Sequence, residues 1–253
     1  MRPQYYYEPP RTTWVDRLRP LITPPLCYLV FLAGLVLAIF LSTRPDPRVS
    51  QYGPRLLILL IAFPIHELAH ALVADRLGDS TPRSHGRITL NPFAQLNLLG
   101  SILIIAFGLG WAYVPINPSA LRPNPRTGHM LVAVAGPIAN LILAVLAALL
   151  WRALNPALQI LDNPALDRHT FNILSQFAWI NVALLFFNLI PIPPLDGFPI
   201  LKGLLPYQLA YQLERIQPYG FLIFFALFFL GGRFVSMLIF EPAIRVTSFL
   251  FGL

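Results

Sequence analysis

Charge is scarce in this 253-residue chain: 11% of its positions are Asp, Glu, Lys or Arg, against 56% hydrophobic. A soluble domain carries about a quarter charged residues, so the composition excludes an ordinary soluble globule and indicates a polytopic membrane protein. Lysine is nearly absent, Lys202 being the sole example, and the formal charge of +7 is therefore due to arginine. The arginines are dispersed rather than gathered into a basic block, which argues against a nucleic-acid partner and for a role in membrane topology. A single cysteine, Cys27, excludes an internal disulfide and leaves the redox compartment unread. Long polar stretches are lacking too. The expected organisation is a polar N-terminal arm over residues 1–20 and one membrane-embedded domain over residues 21–253. The arm has no short apolar core or small-residue cleavage site of a signal peptide, so it is expected to stay on the mature chain.

What is there is a series of apolar runs. Candidate spans cover about Leu26–Leu41, Leu56–Ala74, Met130–Leu150, Phe171–Ile190 and Tyr219–Phe240, the last pausing at Gly231-Gly232-Arg233. Between the second and third, Gly86-Arg87-Ile88-Thr89-Leu90-Asn91-Pro92 reads as a short extended segment and turn. The apolar stretch Leu98–Trp111 that follows is short and broken by glycines, as expected of a segment that re-enters rather than crosses. Asn155–Arg168 reads as a polar loop with helix-breaking prolines, and the tail Glu241–Leu253 as amphipathic. The expected fold is all-α, with five to six transmembrane helices, a re-entrant loop and a short strand segment.

Within the second run lies His66-Glu67-Leu68-Ala69-His70. On a helix, His66 and His70 fall one turn apart on the same face, where two imidazoles can hold one zinc ion and Glu67 can reach a water activated there. Ionisable groups at the centre of a membrane helix cost roughly 2.5–3.5 kcal/mol each when charged, so three of them in consecutive turns point to a bound ion or a reaction. Pro64, two residues earlier, either opens the metal face by bending the helix or is a tolerated kink.

A catalytic zinc site needs a third protein ligand. Asp196 is the best candidate: it ends an apolar helix, after Pro191, Pro193 and Pro194, which leave irregular chain able to bend toward a neighbour. The same position beside Gly197 also suits a turn residue. If Asp196 is the partner of His66 and His70, the helices that carry them must run in the same direction, which holds only if Leu98–Trp111 does not cross. That topology also gives the stronger bias of arginine and lysine to one side, the side of the N-terminus and the metal site, and so assigns it to the cytoplasm.

Taken together, His66-Glu67-x-x-His70, Gly86 to Pro92, Gly136-Pro137-x-x-Asn140, and Asn188-x-x-Pro191 leading to Leu195-Asp196-Gly197 resemble the site-2 protease family of intramembrane zinc metalloproteases. The resemblance covers most of the chain from Leu56 to about Gly232 and is greatest to compact bacterial and archaeal members without a PDZ or CBS domain. It implies one zinc ion per chain on His66, His70 and Asp196, and Glu67 as general base. Asn140 and Asn188 match family asparagines near the active site, which implies contacts to substrate or transition state; a helix-packing hydrogen bond is the other reading of each. The implied substrate is a membrane-spanning protein or peptide in a lipid bilayer, in a bacterial cytoplasmic membrane, with no oligomeric state implied. Gln95 and Asn97 stand where compact members often have His and Asp, and Phe198 stands where a small or polar residue is usual. The alternatives are a polytopic scaffold or transporter with structural zinc, and a membrane-anchored peptidase for soluble peptides. An intact Glu67 argues against the first and the buried motif against the second.

Overall fold

The computed structural model describes residues 24–44, 46–95, 101–102, 105 and 114–253. The described residues are almost entirely helical, and none forms a strand. Among the described residues four helices are long and apolar enough to cross a membrane: α2 (Arg48–Arg76), α3 (Pro125–Ile160), α4 (Pro164–Asn188) and α8 (Gly232–Phe251). A shorter apolar helix, α1 (Pro24–Ser42), precedes them. Three short helices, α5 (Gly197–Leu204), α6 (Tyr207–Glu214) and α7 (Gly220–Leu230), link α4 to α8. The expected all-α polytopic membrane protein is what is found.

Helices α3 and α4 form the central hairpin. Small residues at their contact, Ala144, Ala147 and Ala148 against Ala178 and Val182, let the backbones approach closely, as membrane helices require when lipid competes for apolar surface. Ala243 and Phe251 of α8 complete the same cluster, and Trp151, Phe171 and Phe251 meet edge to face at its rim. The amphipathic tail therefore presents its apolar face to the hairpin. The last apolar region divides differently from the expected Tyr219–Phe240 span: α7 stops at Leu230, and α8 begins at Gly232 and runs through the tail. The expected polar loop at Asn155–Arg168 is also mostly helix. α3 passes through Pro156 to Ile160, and Asn163 caps α4 by accepting from the Leu166 N–H at 3.1 Å. Pro156 cannot make the ladder hydrogen bond to the Arg152 carbonyl, and the helix continues through it for one more turn.

Pro64 does not break α2. A π turn over Ile58–Ala62 precedes it, and the extra residue in that turn absorbs the bond that proline cannot make. Helix directions follow from contacts at the motif: His66 meets Asn140 whereas His70 meets Val132, so α2 and α3 are antiparallel. Since α3 and α4 form a hairpin, α4 runs with α2.

Most of the expected re-entrant stretch Leu98–Trp111 lies outside the described residues, as does the N-terminal arm over residues 1–20. The flanks of that stretch are well placed. The Arg122 N–H donates to the Leu77 carbonyl at 2.9 Å, and the Asn117 N–H donates to Asp79 Oδ2 at 2.6 Å. The chain leaves α2 and enters α3 at the same end of the bundle. The expected extended segment, Arg87 to Leu90, is a run of bends without a strand partner among the described residues. The Thr89 N–H donates to the Arg87 carbonyl at 3.0 Å, which turns the chain, and the Gln95 side-chain amide donates to the carbonyls of Arg87 at 2.5 Å and Thr89 at 3.3 Å.

Candidate metal centre

The imidazoles of His66 and His70 lie on the face of α2 that packs against α3, and both are buried. Each is held from behind through Nδ1. His66 Nδ1 lies 3.1 Å from Asn140 Oδ1, and His70 Nδ1 lies 2.7 Å from the Val132 carbonyl oxygen. Both partners are oxygen acceptors, so each ring donates through Nδ1, and Nε2 is the nitrogen turned toward the shared space, available to a metal. The two Nε2 atoms face each other at 3.0 Å.

Asp196 enters from the far end of α4. After Asn188 the chain turns through Leu189–Leu195, with Ile190 and Leu195 anchored among Phe187, Phe224, Val235 and Ile239. Gly197 lets this loop close, because a side chain there would collide with the carbonyl oxygens of Leu189 and Ile190. These two restraints carry the Asp196 carboxylate back to α2. Its Oδ2 lies 3.1 Å from His66 Nε2 and its Oδ1 lies 3.3 Å from His70 Nε2.

Three ligand atoms thus lie within 4.8 Å of one another. With the rings neutral and their protons on Nδ1, all of them are acceptors, and Asp196 Oδ2 has no hydrogen-bond donor among the described residues. Acceptors converge without a proton between them where a cation is to be shared. Separations of 3.0–3.3 Å match ligands on a tetrahedral ion with bonds of about 2.0–2.1 Å, which places neighbouring ligand atoms roughly 3.3 Å apart. The residues fit zinc. Gly136 completes the cradle: a Cβ at that position would stand 2.5 Å from Nε2 of both histidines.

A cavity of about 290 Å³ opens on this cluster, lined by His66, Glu67, His70, Asn188 and Asp196 among others. Glu67 is buried and faces the same space as the ligand atoms. Asn188 lines the cavity while its amide N–H donates to the Leu184 carbonyl at 3.1 Å. Of the two readings of Asn140, its place matches the interhelical contact: it is fully buried behind His66, with Oδ1 at 3.1 Å from His66 Nδ1. Phe198 is part of the cavity wall, Gln95 orders the Arg87–Thr89 backbone, and Asn97 lies outside the described residues. Two residues escaped sequence reading. His129 lines the cavity from α3, and Val132 offers its carbonyl to His70. The spacing of 129, 132, 136 and 140 on one helical face was the available signal.

A helical membrane bundle with a His-Glu-x-x-His helix packed inside it defines a membrane metallohydrolase. Residues 54–156 and 152–231 match the family described as peptidase family M50, and the chain belongs to that family. It is a zinc metalloprotease of the site-2 protease type. Similar proteins include YwhC of Bacillus subtilis, 40% identical over 174 residues that span 67% of this chain and 77% of the relative. Rip2 of Mycolicibacterium smegmatis is 32% identical over 220 residues, spanning 81% of this chain and 80% of the relative. Both bear zinc metalloprotease in their names. Among solved structures none matches the chain.

Proposed function

We propose that this protein hydrolyses a peptide bond within or beside a transmembrane segment of another membrane protein, using one zinc ion held by His66, His70 and Asp196. The observation that carries the proposal is the convergence of two Nε2 atoms and a carboxylate on the buried face of a membrane-length helix, with Glu67 on the same cavity. Zinc, when bound, acidifies water and polarises a carbonyl. Glu67 takes the proton of the attacking water and returns it to the amide nitrogen as the C–N bond breaks. Asn188, on the cavity wall, contacts the substrate backbone.

The substrate must unwind locally, because a helix keeps its carbonyls in internal hydrogen bonds. The excess of arginine at the ends of α2 and α3 nearest the site supports an orientation with the site toward the cytoplasm, in what we take to be a bacterial cytoplasmic membrane.

The test is made on the purified chain in detergent, with zinc counted per chain and cleavage of a membrane-spanning reporter followed. Wild type should carry one zinc ion, and Asp196→Ala should lose most of it. Glu67→Gln should keep zinc and fold but lose cleavage. Zinc retained in D196A would move the third ligand elsewhere, and cleavage by E67Q would remove the general base.

A further inference from the structure

We propose that Asn140 is a positioning residue of the metal centre, holding His66 in the tautomer that directs Nε2 at the ion. The proposal rests on the reading of His66 as a zinc ligand. Val132, Gly136 and Asn140 recur every four residues and form one stripe along α3, the backing of both imidazoles. Each has a separate task. The Val132 carbonyl fixes His70, Gly136 leaves room for the two rings, and Asn140 Oδ1 fixes His66.

The amide is not explained by packing. Asn140 is fully buried, and its Nδ2 has no hydrogen-bond partner among the described residues, so the side chain spends its polarity on one contact, that with His66 Nδ1. The opposite amide orientation would offer an N–H to Nδ1 and force the ring proton onto Nε2. That proton would then lie between His66 and His70, in the space the ligand atoms share. Only the orientation with Oδ1 toward His66 leaves Nε2 free to ligate. The two histidines differ in this respect: His70 is held by backbone, which substitution does not remove, whereas His66 depends on a side chain.

The test measures zinc affinity, by competition with a chelating indicator, for the full chain in detergent, and the visible spectrum of the cobalt(II)-substituted protein. Asn140→Leu keeps the volume and removes the acceptor; Asn140→Asp keeps an acceptor. Asn140→Ala, which adds no bulk, replaces the leucine variant if leucine disturbs packing. N140L or N140A should bind zinc roughly 10- to 100-fold more weakly, with an altered cobalt spectrum and unchanged helical circular dichroism. N140D should recover wild-type affinity and spectrum. Wild-type affinity in folded N140L or N140A overturns the proposal. So does an equal loss in N140D, which would mark a packing role. His66→Ala is measured in parallel. Zinc retained in H66A would show that the ligand reading itself had failed, whereas zinc lost in H66A but kept in N140L or N140A would remove the positioning role alone.

Discussion

At Gly136 a hydrogen stands where any other residue would press a carbon against both imidazoles. The Cβ of an alanine would lie 2.5 Å from His66 Nε2 and 2.5 Å from His70 Nε2, and the backbone of α3 at this point is packed on α2. Neither ring can retreat without leaving its Nδ1 acceptor. Gly136→Ala should therefore lose zinc and cleavage together while raising the helix propensity of α3. Zinc content and circular dichroism of the purified variant check this. A folded G136A that holds a full complement of zinc would show that the rings have room the structure does not give them.

At the scale of elements, the segment linking α2 to α3 is held at its base by one carboxylate. Asp79 is 1% exposed; its Oδ1 accepts from the Thr81 N–H at 2.9 Å and its Oδ2 from the Asn117 N–H at 2.6 Å. Val114 and Ile116, just before Asn117, form part of the cavity wall. Asp79→Ala would remove the acceptor of two backbone donors, at a net cost of roughly 0.5–1.5 kcal/mol for each hydrogen bond lost. The loss should appear locally before it appears globally, as faster amide hydrogen exchange at Asn117 and Thr81 with little change in the hairpin of α3 and α4. Uniform exchange across the chain in D79A would mean that Asp79 supports the whole bundle rather than this join.

At the scale of the molecule, α2 and α4 run together with α3 against them, and the chain between Leu77 and Arg122 starts and ends at one end of the bundle. Cysteines placed at exposed Ser84 and Ser119, with Cys27 replaced by Ser, should react with a membrane-impermeant reagent from the same side; one at exposed Ala165, in the first turn of α4, should react from the other. Labelling of Ser119→Cys together with Ala165→Cys would break the parallel relation that brings Asp196 to the histidines.

Sequence by itself determined that the chain lives in a bilayer, because apolar runs of span length and a low share of charge have no other stable solvent. It also determined His66, Glu67 and His70 as one constellation, since i and i+4 share a helical face whatever the fold around them. Asp196 was legible because three prolines and a glycine surround an acid at a helix end. The helical passage through Pro156 was hidden, since proline at that point of a helix loses a ladder hydrogen bond and local pattern reads it as a breaker. The pause at Gly231 was legible, but the continuation of α8 through the tail was hidden, because the packing of Ala243 and Phe251 is made against distant helices. Tertiary structure alone placed Asn140 against His66. An asparagine in an apolar helix reads equally as substrate contact or packing bond until the neighbouring helix is in place, and that neighbour puts His66 Nδ1 at 3.1 Å from its oxygen. Residue type sets which bonds a side chain can make; the fold chooses the partner, because that depends on which helix faces it across a distance the sequence does not encode locally.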